Sequence, residues 1–421
     1  MLDDDTTFLY DLARNSEELQ LIEYLTGAEK PMIRHRAAEL LGGLTTGTSP
    51  EVQERITRAL HRTAKADDSD AVRAAAIDAL YLRNEDSLES LIDAVTEGDI
   101  DDTPAWMRTE RVTDWLESDH AELRLIAAAA LGRIGDRAAT EPLVGVFDDP
   151  DVRVRARAVQ SCGQLGDPRC VDALAARLTD GHDQVRREAA AALASIGTES
   201  ALQALAPAAR SDSEAVRRIA LGELGRFETL EPLPLLLEGL DDSDELVRRT
   251  ATRSLLELLA NAPSDSSHDV RNEVASAVMS ATPPDLVSQL LTILGGNQPD
   301  YIRRNATWLL GQVVDSETAR LQDAQTTLVE ALDDPDDITA KFAMSTLSEL
   351  EGANLLVRLR RYAERDDISA AARSRAEFVC QKLEGSPSRT AVTNAVEVTY
   401  VSDPADYTAK KRERDIESAD E

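Results

Sequence analysis

Apolar and polar positions recur along most of this chain in blocks of about 31 residues. In residues 185–193 (VRREAAAAL), Val185, Ala189 and Leu193 stand four apart, which places them on one face of a helix with charged side chains on the other. An acidic turn precedes this pattern in successive blocks (DDPD, DGHD, SDSE, DDSD), and its Asp and Ser residues suit a helix N-cap. Upstream of each turn lies a second, Leu-rich pattern, as in EPLVGVF (141–147) and CVDALAARL (170–178). Each block therefore predicts two helices. Small Ala residues on the second would let neighbouring helices approach closely.

The most regular marker is an aliphatic residue followed by arginine: Leu123-Arg124, Val154-Arg155, Val185-Arg186, Val216-Arg217 and Val247-Arg248. Gly135, Gly166 and Gly197 keep the same period. Matching pairs stand at Ile33-Arg34, Val72-Arg73, Val270-Arg271 and Ile302-Arg303, a weaker one at Ala372-Arg373, and a degenerate form at Ile338-Thr339-Ala340. A repeat at such a period is the signature of a stacked array, in which each unit buries its apolar face against the next. The expectation is an all-α protein, an α-solenoid of about 10–11 helix pairs over residues 15–384.

The period breaks twice. Residues 109–124 align with 140–155, so the extra sequence between Arg73 and Arg124 lies upstream, at about 86–107. It should hold a short helix and an acidic loop ending at Trp106. Between Arg248 and Arg271 the interval is short and Pro- and Ser-rich, as if a first helix were missing, which predicts a kink near 261–269. These breaks divide the chain into N-terminal repeats (1–260), C-terminal repeats (261–384) and a charged tail (385–421), expected to be flexible with β-like alternation at 390–401.

Composition and charge narrow the class. Only 4% of residues are aromatic, so the core must be built from Ala, Leu, Val and Ile. There are 78 acidic against 46 basic residues, a formal charge of −32. Asp exceeds Glu and Arg exceeds Lys, the bias of proteins from salt-accumulating organisms. Molar salt shortens the screening length to about 3 Å and lets such a surface stay folded. The same charge argues against nucleic acid as a partner. No apolar run is long enough to span a membrane, and the opening MLDDDTTFLY lacks the features of a signal peptide. Cys162, Cys170 and Cys380 form no disulfide framework, which predicts a reducing, cytoplasmic location.

The segment DDPDVRVRARAVQSCGQLGD (148–167) and its echoes resemble the HEAT-repeat family, in the short form associated with phycobilisome lyases. The resemblance implies an α-solenoid whose second helices line a concave face. It says little about activity, because the fold serves lyases, hydroxylases, adaptors and transport factors alike. The opening TFLYDLARNSEELQLIEYLTG, followed by RHRAAELLG, is similar to HEAT-like proteins of haloarchaea, some of which are associated with taxis signalling.

Candidate chemistry is sparse. His35, His61, His120, His182 and His268 are scattered, and the His-Glu dipeptides that a HEAT-repeat di-iron hydroxylase uses are absent, so no metal or other cofactor is expected. Cys162 occupies a core Leu position, whereas Cys170 opens a first helix and is expected to be partly exposed. These two carry the alternative reading, an enzyme or enzyme subunit of the bilin-lyase or hydroxylase type. The recurrent arginines divide into two sets. Arg124, Arg155, Arg186, Arg217 and Arg248 oppose the helix dipole in the first turn, so they are expected to form a structural ladder to the acidic turns. The residues just after them, Arg187, Arg218, Arg249 and Arg304, together with Arg253 and Trp308 one turn on and Trp106 in the insertion, form an exposed column suited to an acidic partner. The expected function is a non-catalytic, monomeric scaffold for protein partners, in taxis signalling if the haloarchaeal resemblance extends to role, with neither nucleic acid nor membrane as a ligand.

Overall fold

The structure, a computed structural model, describes residues 6–44, 49–83, 85–97, 105–261, 267–315, 318–350 and 353–384. The β-like segment at 390–401, the tail as a whole, the acidic loop at 98–104 and the centre of the expected kink lie outside those residues. Among the described residues there are 23 α-helices, several short 3-10 turns and no strand. The protein is an all-α solenoid. Its contacts divide it into two compact units, Met1–Ala204 and Leu205–Glu421, with the division falling inside helix Glu199–Ala209.

In the first unit, the helices that carry the aliphatic–Arg pair form one row: Pro31–Gly43, Asp70–Arg83, Ala121–Ile134, Val152–Leu165 and Asp183–Ile196. Each packs on the next. Their starts are set by the acidic turns: the Asp151 carboxylate accepts a hydrogen bond from the Arg153 backbone N–H, satisfying a donor that the first turn leaves open. Their ends are set by Gly135, Gly166 and Gly197, each in the left-handed region (φ 74°, 57° and 65°). Contact between neighbouring second helices is close enough to exclude a methyl group at Gly163, where a Cβ would lie 2.8 Å from the Cα of Ala192. The buried residues of this row are mostly Ala, Leu, Val and Ile.

The inserted sequence supplies helix Glu85–Glu97, which packs on both Asp70–Arg83 and Ala121–Ile134. It is held by charge as well as by Leu88, Leu91 and Ile92, since Arg133 bonds Asp93 and Glu89, and Arg157 from the following second helix reaches Glu89 at 3.6 Å.

In the second unit the corresponding row is Glu214–Glu223, Glu245–Asn261, Asp300–Val313, Asp337–Glu349 and Ala370–Leu383. Here the structure corrects one part of the repeat count. Glu245–Asn261 packs directly on Asp300–Val313, and helix Ser267–Ala281, which carries Val270-Arg271, lies beside that stacked pair, against Asp300–Val313, the first helix Leu233–Leu240 and Glu245–Asn261. The short interval after Arg248 thus reflects an added helix beside the row of second helices rather than a missing first helix. Arg271 accordingly does not repeat the ladder geometry: its Nη2 donates to Asn305 Oδ1 at 2.8 Å, and its guanidinium lies 4.9 Å from the Trp308 ring centroid.

Candidate functional site

The ladder arginines use both ends of the guanidinium. Nη1 of Arg124 donates to the Ser118 carbonyl, six residues back, at 2.8 Å, while Nε and Nη2 grip Asp149 of the next acidic turn at 2.6 and 2.9 Å. Arg155 repeats this with the Asp149 carbonyl (2.8 Å) and Asp180 (3.1 and 3.2 Å). Arg217 does so with the Ser211 carbonyl (2.9 Å) and Asp242 (2.7 and 2.9 Å). Arg34–Asp67 and Arg303–Asp334 have the same fork. Each linking Asp also orders its own turn, as when Asp149 Oδ1 accepts from the Asp151 N–H at 2.8 Å. One residue thereby joins two repeats and positions the next helix start.

Arg186 and Arg248 keep the local half of this pattern, through the carbonyls of Asp180 (2.7 Å) and Asp242 (2.8 Å). Arg186 then turns to Asp183 of its own helix, and Arg248 to Asp285 at 3.1 Å. The electrostatics agree with the geometry. Hydrogen bonds donated to Asp242 raise the pKa of Arg217 against the opposing effect of burial. Burial alone would raise Asp180 and Asp242, but their arginine partners and a backbone N–H outweigh it and hold both below the usual carboxylate range.

A second rail escaped the reading of the sequence. Thr140 Oγ1 donates to Asp167 at 2.8 Å and Thr109 Oγ1 to Asp136 at 3.1 Å, across adjacent repeats. Each Asp caps the short turn that follows it, through the Ala138 or Arg169 N–H at 3.0 Å. The Arg169 side chain, its backbone N–H and the Thr140 hydroxyl hold Asp167 far below the ordinary range. The signal was present, since Thr109/Thr140 and Asp136/Asp167 both keep the period, but polar turn residues are common enough to pass unremarked.

The exposed column resolves into unlike environments. In the first unit the positions after the ladder Arg are buried at Leu125 and Ala156, and at Arg187 they are exposed, with Arg187 paired to Asp183 of its own helix. Trp106 lies on helix Ala105–Thr113, but its side chain lies outside the described residues. In the second unit Arg304 is half-buried and forked onto Asp336 at 2.8 and 3.2 Å. Trp308, expected on the exposed column, is only 5% exposed; Asn305, Trp308 and Arg271 pack together between helices, so the column ends beneath the surface there.

The structure brings three members together. Arg218, Arg249 and Arg253 line one cleft of about 320 Å³ in the second unit, with Leu246, Ile293 and Gln289 among the other lining residues and no carboxylate. Arg253 is bonded to Glu257 at 3.1 Å. Arg218 and Arg249 are exposed and have no hydrogen-bond or ion-pair partner among the described residues. The adjoining hollow shares Arg249 and Gln289 and adds Glu245 and Asp285, the latter already engaged by Arg248.

Cys170 is fully buried rather than partly exposed, because the 3-10 turn Pro168–Cys170 folds its side chain inward against Cys162. That contact and burial push the Cys162 thiol well up. Among the described residues no group of three or more His, Cys, Asp or Glu side chains is arranged to hold a metal ion, and no helix is long and apolar enough to cross a membrane.

A family profile described as HEAT repeats matches residues 109–193 and 171–256. A HEAT repeat-containing taxis protein of Halobacterium salinarum is 41% identical over 392 residues, covering 93% of this chain and 94% of that protein. Among solved structures, that of an engineered protein aligns with 87% of this chain and 98% of its own at a TM-score of 0.51, with 18% identity, which speaks to the fold alone.

Proposed function

Because the chain belongs to the HEAT-repeat proteins of the haloarchaeal type, we propose that it serves as a non-catalytic scaffold in taxis signalling, holding a protein partner along the concave face of its second helices. The observation that carries this reading is the near full-length match to a taxis protein: both chains are covered almost end to end, so the likeness is not confined to a shared module. The geometry supports it in a second way. The ladder ties repeat to repeat inside each unit, and a rigid face is what a scaffold needs in order to present fixed side chains to a partner without ordering costs.

On this reading the protein is a cytoplasmic monomer that needs no cofactor, and neither nucleic acid nor membrane is its ligand. The acidic surface belongs to the salty solvent, and recognition falls to the minority of arginines that have no ion pair among the described residues.

The test is genetic and biochemical together. Deletion of the gene should abolish directed migration in soft agar while leaving growth unchanged, and the tagged full chain should retain one or more taxis proteins in molar KCl. Normal migration in the deletion strain would overturn the taxis role. Failure of the tagged chain to retain any protein would overturn the scaffold.

A further inference from the structure

We propose that the Arg218–Arg249–Arg253 cleft is the docking site for a carboxylate-rich segment of the partner protein, with an aliphatic side chain of that segment set against Leu246; this rests on the scaffold reading and specifies where and by what chemistry the partner is held.

In a chain of net −32, nearly every described arginine of the second helices is spoken for by a carboxylate, a carbonyl or an amide, as the ladder forks and the Arg304–Asp336 pair show. Two exposed guanidinium groups with no partner among the described residues, on adjacent second helices and facing one cleft without a carboxylate, depart from that rule. A guanidinium offers a planar fork of donors that fits a carboxylate in two-pronged fashion. The helices Glu214–Glu223 and Glu245–Asn261 that carry Arg218 and Arg249 pack on each other, and the Arg217–Asp242 fork beside them fixes their register. The spacing of the two free cations is thus set by the fold.

The apolar component separates a peptide from other anions. Leu246, two residues before the ladder Arg248, is 49% exposed, and Ile293 lines the same cleft. A phosphate backbone would leave that wall unused, whereas an acidic peptide with an interspersed Leu, Ile or Val would cover it. Salt sharpens the choice. At molar ionic strength the screening length is about 3 Å, so long-range steering vanishes and only charges in direct contact retain their attraction. A site that works in such a solvent needs contact pairs and apolar burial side by side, which this cleft supplies.

The test uses the full chain in a haloarchaeal host, with the photoreactive amino acid benzoylphenylalanine at Thr292, a lining position that leaves every arginine in place. Irradiation of intact cells followed by mass spectrometry identifies the crosslinked segment. The expected segment belongs to another protein, carries a surplus of Asp and Glu and contains an aliphatic residue. Its yield should fall about tenfold or more in Arg218→Gln/Arg249→Gln, since loss of a charged hydrogen bond costs about a factor of ten in affinity. Arg218→Lys/Arg249→Lys should retain part of the yield, and Arg58→Glu, on an exposed helix of the first unit, should change nothing. A neutral or basic segment, a nucleic acid, a second copy of this chain, its own sequence, or a yield indifferent to the glutamine pair would each overturn the proposal. If the glutamine variant keeps its circular dichroism and the tagged chain still retains the same taxis protein undiminished, the cleft fails while the scaffold reading stands. If the unaltered chain retains no protein at all, the scaffold reading itself has failed.

Discussion

Arg124 and Asp149, 25 residues apart in sequence, meet in a two-pronged ion pair with N···O distances of 2.6 and 2.9 Å; the Asp149 side chain is buried and that of Arg124 is 13% exposed. A pair in that setting has lost most of its hydration, so breaking it leaves an uncompensated charge inside. Arg124→Gln should therefore destabilise the first unit by about 3 kcal/mol or more, and Asp149→Asn by a similar amount. The double replacement Arg124→Met/Asp149→Leu should cost clearly less than the sum, because both desolvated charges go together. Denaturant titration in molar KCl gives all four stabilities, and strict additivity would show that the two residues act independently.

Stability should fall in acid through the linking carboxylates. Asp180 and Asp242 have folded-state pKa values below their ordinary ones. Protons therefore bind the unfolded chain more tightly, and the stabilisation is complete above the unfolded carboxylate range near 4, then lost as pH falls through the lower folded values. The expected acid transition lies below about pH 4, and Asp242→Asn should flatten the stability profile there while lowering stability at neutral pH. A profile of unchanged slope in that variant would remove Asp242 from the account.

Two glycines test the close approach of second helices. At Gly163 an added methyl would sit 2.8 Å from the Ala192 backbone, and at exposed Gly145 it would meet nothing within 4 Å. Gly163→Ala should cost about 1–3 kcal/mol by prising helix Val152–Leu165 from Asp183–Ile196. Gly145→Ala should be neutral or stabilise by up to about 1 kcal/mol, since Ala loses less backbone entropy in a helix. Thermal melts of the pair decide it, and equal effects would mean that the packing tolerates a methyl.

The repeat was legible because its cause is local and recurrent. Each helix start needs an acidic cap, each buried face needs aliphatic residues four apart, and each repeat must do both again, so Val185-Arg186 and its echoes stand out without any knowledge of contacts. What resisted reading were places where neighbours in space override the period. Val270-Arg271 looks like a ladder pair, yet its helix lies beside the row of second helices, where Asn305 and Trp308 offer Arg271 a different seat. Trp308 has the spacing of an exposed position and is buried by the same arrangement. The cleft was half visible: Arg218 and Arg249 keep the period in sequence, but only the structure separates them from Arg187, Arg253 and Arg304, which bond to carboxylates, and adds Leu246 and Ile293 as an apolar wall.

Thiol chemistry bears on the enzymatic alternative. A bilin lyase-type reaction would need an accessible, activated thiol, because the thiolate is the reactive form and its fraction is set by pKa and exposure. Cys162 and Cys170 are fully buried against each other and Cys380 is 9% exposed; the contact with Cys170 and burial raise Cys162, burial raises Cys380, and the lowering of Cys170 comes chiefly from that same buried contact with Cys162. In the native protein a disulfide reagent such as DTNB should therefore react at the pace of local opening, slowly and with all sites gated alike, whereas the denatured chain should titrate three thiols at once. Rapid native labelling of Cys170, followed by protection when a tetrapyrrole is added, would put lyase chemistry ahead of the scaffold. Slow labelling that accelerates with denaturant in step with unfolding would leave those cysteines as packing residues and recognition to the arginine cleft.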